Sequence, residues 1–437
     1  MSLPDLIEIV PLDKPVHAEI TVPGSKSITN RALALAALAA GEVTLEGALW
    51  SEDTQVMVDC LQRLGFEVRV APDATEFCNR TITVRGRGGE IPNAGTGEKP
   101  LELFVGNAGT AARFLAAMVC LGCGVYRLSG VPRMHERPQA ALFTALRELG
   151  YRVDSAHDKL PAMLHGTGLR VGRCRVSIEE SSQFASALLL CAEHGKWSVE
   201  VVGENAEESP YVAMTLEMIK VFPRKGGPFQ IEPDASSGSY FWAAGLLAPS
   251  ATSPEKSGDL MIGVQHWPSS GWQIDERFRE FMVPKAMISR RTDLGDSIMT
   301  AIVLAPFTAW SNPPKFSLLF TDLHRLRVQE CERVAALRTE LTKCGATVIE
   351  KDDTLEVLDT DLHGASIETY DDHRMAMCFA VVGLKVPGIK LRNPSCVKKT
   401  FPNFFQKLAA APPHGLGASI LDTRTGRKLS HDELFAG

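Results

Sequence analysis

Six stretches of the chain share one pattern, in which a small or polar cap is followed directly by an almost wholly apolar helix. They begin near residues 25, 107, 181, 235, 296 and 372. The first reads Ser-Lys-Ser-Ile-Thr-Asn-Arg and continues as an Ala- and Leu-rich segment up to Gly41. A helix that is apolar all round must be buried. One such unit cannot bury its helix alone, so the pattern predicts repeated units that pack together.

A second helix type recurs between these stretches. It is amphipathic, ends at a glycine and leads into a strand, as at residues 61–68, 146–153 and 341–348. Glycine is the residue that most often terminates a helix. The repeat is therefore predicted as a βαβαββ unit, and the fold class as α/β with buried parallel helices.

The spacing of the repeats predicts two domains with three units each. One domain would span residues 22–232, and the other residues 1–21 plus 233–412, joined by two chain crossings. The strands before residue 22 would complete the second domain. The polar segment 413–437 is predicted to be a C-terminal tail, an appendage without chemistry.

Composition excludes several classes of protein. The 437 residues are too many for one ordinary core. A net charge of −6 argues against general nucleic-acid binding. The longest apolar run, residues 32–40, is far shorter than the roughly 20 residues of a membrane span. The N-terminus resembles no signal peptide, so we expect a cytoplasmic protein.

Ten cysteines are spread thinly along the chain. Cys120 and Cys123 form a Cys-x-x-Cys pair, but it lies in an apolar stretch and has no second pair. A structural zinc site needs four ligands. We therefore expect buried free thiols and no metal.

The first helix tip carries two cations, Lys26 and Arg31. A helix N-terminus already favours an anion through its dipole and its free N–H groups. Taken alone, the segment could be an ordinary capped helix with two solvated cations. Because the tip pattern recurs, we favour a site for a phosphate or a carboxylate.

Several motifs together resemble the 5-enolpyruvylshikimate-3-phosphate (EPSP) synthase family. They occur in the family's order, from about residue 5 to about residue 408, at 23–31, 106–113, 132–138, 181–184, 370–377 and 399–402. The related UDP-N-acetylglucosamine enolpyruvyltransferase family shares the repeat plan. It lacks the Ser-Lys-Ser start and the Asp-His-Arg-Met motif of this chain.

The resemblance implies a two-domain inverse α/β barrel that closes over its substrates. The implied reaction moves the enolpyruvyl group of phosphoenolpyruvate to the 5-hydroxyl of shikimate 3-phosphate and releases phosphate, in aromatic amino acid (chorismate) biosynthesis. The implied partners are these two small molecules, without a metal or organic cofactor, and we expect a monomer.

The resemblance also implies which residues form the site. Those around phosphoenolpyruvate would be Lys26, Gly109, Arg133, Gln183, Arg333, Arg374 and Lys399. Those around shikimate 3-phosphate would be Lys26, Ser27, Arg31, Ser181, Ser182, Gln183, Tyr211, Asp296, Arg325 and Gln329.

The reaction needs acid–base groups at two places. By resemblance, Asp296 is the base at the acceptor hydroxyl, and Glu330 handles the proton at the methylene carbon of phosphoenolpyruvate. Lys26 shares this work. His373 could serve as a general acid by residue type; we prefer it as a hydrogen-bonded residue that orients Arg374.

Three positions depart from the family's usual pattern. Arg325 replaces an Asn, Gln329 replaces a Lys, and Glu208 replaces a Ser that usually helps hold the acceptor's phosphate. These departures leave open an enolpyruvyl transferase for a different hydroxylated ring. They also leave open a phosphate-sensing protein without catalysis, against which Asp296 and Glu330 argue.

Overall fold

The structure of the chain is a computed structural model that describes residues 3–203, 209–249, 261–283, 285–307, 317–358 and 360–437. The chain divides into two compact units. We call Gly24–Glu232 the middle unit, and Met1–Pro23 with Pro233–Gly437 the terminal unit. The sequence analysis placed its two boundaries after residues 21 and 232.

Strands and helices alternate along most of the described chain. The strands are β1 (Leu6–Ile9), β2 (Ala18–Ile20), β3 (Glu42–Leu49), β4 (Glu67–Pro72), β5 (Asn79–Arg85), β6 (Leu101–Phe104), β7 (Cys123–Ser129), β8 (Arg152–Ser155), β9 (Ala162–Thr167), β10 (Gly172–Ser177), β11 (Trp197–Val202), β12 (Gly227–Gln230), β13 (Ile262–Val264), β14 (Met287–Ser289), β15 (Ser317–Thr321), β16 (Val348–Lys351), β17 (Thr354–Leu358), β18 (Ser366–Ile367), β19 (Ile389–Arg392) and β20 (Ile420–Asp422). The α-helices are α1 (Lys26–Leu38), α2 (Glu52–Arg63), α3 (Gly109–Met118), α4 (Pro132–Glu136), α5 (Ala140–Glu148), α6 (Gln183–Gly195), α7 (Pro210–Val221), α8 (Ala235–Leu247), α9 (Ile298–Leu304), α10 (Arg333–Lys343), α11 (His373–Gly383) and α12 (Phe404–Ala409).

One sheet plan recurs in both units. The four-stranded sheets have the orders β12-β3-β5-β4 and β6-β7-β9-β8 in the middle unit, and β14-β15-β17-β16 and β18-β19-β1-β20 in the terminal unit. In each, the first two strands are parallel and the other pairings are antiparallel. Among the described residues, β10-β11 and β13-β2 are parallel pairs only.

Most residues of the helices that follow the polar caps are buried, as their apolar sequences predict. Every residue of α3 and of α11 is buried. The tip of α1 depends on a close backbone approach at Gly24. A Cβ there would lie 2.0 Å from the carbonyl oxygen of Gly47, so a larger residue would displace the tip.

The C-terminal segment is part of the terminal unit's core, so the prediction of an appendage is wrong. Strand β20 pairs with β1, with Ile9 opposite Ile420. It takes the place in its sheet that β4, β8 and β16 take in theirs. Leu416, Leu429 and Leu434 are buried in the same core. The error arose because these apolar residues are spaced too widely among polar ones to show a period.

The cysteines are free, and most are buried. The prediction of burial is wrong for Cys123, which is exposed, and for Cys331, which is half-buried. In the described ranges, no group of three or more His, Cys, Asp or Glu side chains is placed to hold a metal ion. No helix in those ranges combines the length and apolar character needed to cross a membrane.

We predict that Ile420→Ala lowers the free energy of unfolding by about 2–5 kcal/mol, because it removes a fully buried side chain. Urea denaturation followed by circular dichroism measures this change. The control is Lys428→Ala, which changes an exposed residue of the same segment. Equal stability of the two variants would contradict the integral role of β20.

Candidate active site

Arg333 is the centre of an ionic cluster in the terminal unit. It is the first residue of α10, and its side chain is 1% exposed. Its Nε donates to Asp372 Oδ2 at 2.7 Å and its Nη2 to Glu330 Oε2 at 2.8 Å. Its Nη1 donates to Gln329 Oε1. The buried positive charge is therefore paired with two carboxylates, as a buried charge must be.

Asp296 lies just before α9 and faces three arginines. Arg290 Nη2 donates to Asp296 Oδ1 at 2.9 Å, Arg374 Nη2 lies 3.0 Å from Oδ2, and Arg333 Nη1 lies 3.9 Å from Oδ1. Burial alone would raise the pKa of Asp296, but the three arginines outweigh it and hold the pKa well below its usual range. In this state Asp296 is a firmly ionised carboxylate.

Glu330 joins the cluster to Lys399. Lys399 Nζ donates to Glu330 Oε1 at 2.9 Å, and both side chains are less than a tenth exposed. Among the described residues, these ion pairs join four cations to three carboxylates, an excess of one positive charge: Arg290, Arg333, Arg374 and Lys399 with Asp296, Glu330 and Asp372. Such a cluster is suited to bind an anion that exchanges partners with its carboxylates.

The tip of α11 orders part of this cluster. Asp372 is its N-cap and accepts from the backbone N of Arg374 at 2.8 Å. The two preceding residues, Tyr370 and Asp371, both have φ near +55°, a left-handed conformation. Tyr370 Oη donates to the buried Glu340 at 2.7 Å and so fixes this turn. His373 is buried, with Nδ1 3.8 Å from Asp372 Oδ1.

Arg31 joins three helices of the middle unit. Its fully buried guanidinium donates to Thr215 Oγ1 at 2.8 Å and Ser186 Oγ at 3.0 Å, and to the carbonyls of Ser27 and Tyr211 at 2.9 and 3.3 Å. These acceptors, on α1, α6 and α7, are neutral. Burial lowers the pKa of Arg31 to about 10, so it stays charged at neutral pH.

The tip of α3 is lined by two guanidinium groups. A Cβ built on Gly109 would lie 2.4 Å from Arg113 Nη1 and 2.7 Å from Arg137 Nη2. Gln183 links this tip to α6, because its Oε1 accepts from Arg113 at 3.0 Å and its Nε2 donates to Thr110 at 3.3 Å. Glycine at this position therefore lets both guanidinium groups approach the start of α3, where a larger side chain would displace them.

The remaining predicted residues lie at helix ends and turns of their own units. Lys26 begins α1, and its Nζ lies 3.2 Å from Asp53 Oδ2. Arg133 on α4 has a 39% exposed side chain and pairs with Glu136 at 2.6 Å. The others lie as follows: Ser27 in α1, Ser181 just before α6, Ser182 at its N-cap, Tyr211 in the first turn of α7, and Arg325 in the 3₁₀ turn His324–Val328. Glu208 is outside the described residues.

Several residues that line these clusters are not among the predicted site residues: Asp53, Arg113, Arg137, Arg290 and Asp372. Arg113, Arg137 and Asp372 lie inside the motifs at 106–113, 132–138 and 370–377, so their place in a motif could have identified them as site residues. Arg290 and Asp53 lie outside every motif. Asp53 meets Lys26 because the fold packs α2 beside α1, whereas Arg290 lies only six residues before Asp296.

Comparisons with known proteins identify a family. The family model described as EPSP synthase (3-phosphoshikimate 1-carboxyvinyltransferase) matches residues 11–408. A 3-phosphoshikimate 1-carboxyvinyltransferase of Trichormus variabilis is 37% identical, over 92% of this chain and 98% of its own. One from Vibrio cholerae is 36% identical, over 90% of this chain and 96% of its own.

Solved structures match the fold. An EPSP synthase from Acinetobacter baumannii has a TM-score of 0.67 at 18% identity, covering 95% of this chain and 100% of its own. The enolpyruvyl transferase NikO from Streptomyces tendae has a TM-score of 0.64 at 16% identity, covering 98% and 99%. These matches confirm the predicted inverse α/β fold class.

We predict that the contribution of Asp296 to stability disappears in acid. Its folded-state pKa lies below the unfolded value of about 3.9, so the contribution is complete above about pH 5 and is lost as the pH falls through the folded pKa. Urea denaturation of the wild type and Asp296→Asn between pH 7 and pH 3.5 measures the onset of this loss, as a narrowing of the stability difference between the two proteins. A stability difference between the two proteins that stays constant with pH would contradict the ion pairing.

Proposed function

The chain belongs to the EPSP synthase family, and we propose that the charged clusters of its two units carry out the reaction of that family. The chain is a transferase. It moves the enolpyruvyl group of phosphoenolpyruvate to the 5-hydroxyl of shikimate 3-phosphate and releases phosphate, a step in aromatic amino acid biosynthesis. The observation that carries this conclusion is the match to curated 3-phosphoshikimate 1-carboxyvinyltransferases at 36–37% identity over at least nine-tenths of the chain.

An acceptor other than shikimate 3-phosphate is not favoured, because these relatives match almost from end to end. A purely phosphate-sensing protein is also disfavoured, because the ionic cluster contains carboxylates as well as cations. Gln329, one of the departures from the family pattern, accepts a hydrogen bond from Arg333. Its side chain thus supports a donor-site arginine.

The donor, phosphoenolpyruvate, carries a phosphate and a carboxylate, and both suit guanidinium forks and ammonium groups. We assign to it Arg333, Arg374 and Lys399 of the terminal unit, and Lys26, Gly109, Arg133 and Gln183 of the middle unit. What supports this assignment is the burial of the first three with an excess of positive charge. A bound anion would replace the carboxylates that form ion pairs with these cations in this state.

This exchange of partners would activate Asp296. A carboxylate whose pKa is held very low is a weak base. When the substrate's anionic groups bind Arg333 and Arg374, the attraction that these arginines exert on Asp296 weakens and its pKa rises. Asp296 can then accept the proton of the acceptor's 5-hydroxyl as that oxygen attacks C2 of phosphoenolpyruvate.

Glu330 is assigned to the methylene proton. In this state it lies between Arg333 and Lys399, which favour its ionised form. Binding of the substrate's phosphate to these cations would allow Glu330 to carry a proton. It donates this proton to the methylene carbon, giving a tetrahedral intermediate, and accepts one from the resulting methyl group as phosphate leaves. The departing phosphate oxygen takes up the proton that Asp296 removed from the hydroxyl, so both carboxyl groups return to their starting states. One group thus serves as acid and then as base, with Lys26 sharing the work.

The acceptor is assigned to the tips of α1 and α6 and to residues beside the base. The hydroxyls of Ser27, Ser181 and Ser182 and the free N–H groups of these helix ends suit a phosphate. The full set is Lys26, Ser27, Arg31, Ser181, Ser182, Gln183, Tyr211, Asp296, Arg325 and Gln329. Arg31 also ties α1 to α6 and α7, so its loss would disturb the tips themselves.

We further propose a monomer in the cytoplasm. Both charged clusters are built from one chain, and the free cysteines suit a reducing compartment. Light scattering on the purified protein tests the first point, and the location of a tagged chain in cell fractions tests the second.

We predict that the purified chain releases phosphate from phosphoenolpyruvate with shikimate 3-phosphate as acceptor. Shikimate without its phosphate should react at least about a hundredfold more slowly, because polar groups built for that phosphate would be left unpaired. A coupled phosphate assay over a small acceptor panel, including UDP-N-acetylglucosamine, measures this. Release with another ring only would overturn the acceptor assignment, and ligand binding without product would favour the sensing alternative.

We predict that Lys26→Ala and Glu330→Ala each lower kcat by roughly a hundredfold or more, the scale of a lost acid–base or electrostatic group. Lys220→Ala and Glu217→Ala are the matched controls, since this exposed pair on α7 carries the same charges. Steady-state kinetics decides: near-normal rates in the first two variants would remove these residues from the mechanism.

A further inference from the structure

We propose that Asp275 is a positioning residue for the base Asp296, an inference that rests on the proposed function. Asp275 lies in the 3₁₀ helix Ile274–Phe281 and is 3% exposed. Its Oδ1 accepts from the backbone N of Gly295 and from Ser297 Oγ, both at 2.6 Å. The backbone N of Ser297 lies 3.3 Å from each oxygen. The carboxylate therefore holds the residues on both sides of Asp296.

The same carboxylate is anchored to a second helix tip. Its Oδ2 accepts from Ser236 Oγ, in the first turn of α8. Two residues earlier, Gln273 accepts from the backbone N of Ala235 at 3.0 Å and donates to the carbonyl of Pro233 at 2.9 Å. Asp275 thus fixes the main chain around Asp296 relative to the start of α8.

The chemistry of the site makes this position matter. In the proposed mechanism Asp296 changes partners from arginines to an acceptor hydroxyl, and once these arginines bind substrate the position of its own main chain aims the carboxylate. Misplacement of a reacting group by about 1 Å can cost on the order of a hundredfold in rate. Four donor groups converge on the Asp275 carboxylate: the backbone N–H groups of Gly295 and Ser297 and the hydroxyls of Ser236 and Ser297. Removing the carboxylate takes away the acceptor of these hydrogen bonds, and with it the bonds that hold the main chain on both sides of Asp296.

A buried carboxylate can also serve stability alone, so the test must separate the two roles. We expect Asp275→Ala to lower kcat by about a hundredfold while KM for phosphoenolpyruvate changes less than about threefold. Asp422→Ala is the matched control. It removes a carboxylate that is 8% exposed, against 3% for Asp275, and that accepts from the backbone N of Arg424 and from Thr425 Oγ1 in the turn after β20. The control should lose stability but keep kcat.

The conservative variant Asp275→Asn should recover most of the rate. Its amide oxygen can still accept from Gly295 and Ser297, and the Ser236 hydroxyl can turn to accept from the new NH₂ group. Recovery to within about fivefold of the wild-type kcat is expected. An Asn variant as slow as the Ala variant would overturn the positioning role.

The decisive measurement is a double-mutant cycle with Asp296→Asn. If Asp275 acts through Asp296, the double variant should turn over within about twofold of Asp296→Asn alone. Additive losses would overturn the proposal. Should Asp275→Ala fail to fold, Ser297→Ala removes one of the same hydrogen bonds and should show a smaller loss that also vanishes in the Asp296→Asn background. A normal rate for Asp296→Asn itself would instead overturn the assignment of Asp296 as the base. The positioning role proposed for Asp275 would then have no base to act on.

Discussion

The pairing of Arg333 with Asp372 and Glu330 is the interaction on which the proposed chemistry of the terminal unit depends. The side chains of Arg333 and Asp372 are 1% and 0% exposed, so neither charge is solvated by water. Removing one partner of such a buried pair typically costs about 3–5 kcal/mol, because the other charge stays behind uncompensated. A competing anion can therefore bind Arg333 only if it accepts the hydrogen bonds that Arg333 now donates to Asp372 and Glu330. In the proposed mechanism, this constraint links binding of the substrate to release of the carboxylates that would act on it.

The same constraint explains why the ionisable groups sit at helix ends. In α3 and α11 every residue is buried, so their polar residues are confined to the tips and to the first turn. There the free N–H groups and the helix dipole favour negative charge. Backbone geometry also shapes the starts of two of these helices. Gly109 lets two guanidinium groups approach the main chain, and the left-handed pair Tyr370 and Asp371 sets the start of α11.

Much of the fold follows from local signals. The glycine after α2 and the alternation of apolar and polar residues in β4 indicate one repeat. Similar signals recur at residues 146–153 and 341–348. The last strand was missed because β20 has only three residues and its stabilising contacts are with β1, more than four hundred positions earlier. Exposure of Cys123 was missed for a related reason, since an apolar sequence does not tell which end of a strand reaches the surface.

By itself, the sequence determined the α/β repeat, the polar tips of the buried helices and the family, because each of these is written in short stretches with a fixed period or spacing. Only the tertiary structure decided which charges meet. Arg374 beside Asp296, Asp53 beside Lys26 and Asp275 behind the Asp296 loop are pairings between separate elements. No local pattern encodes them, because the energy of a buried ion depends on which partner the packed chain places within hydrogen-bond distance.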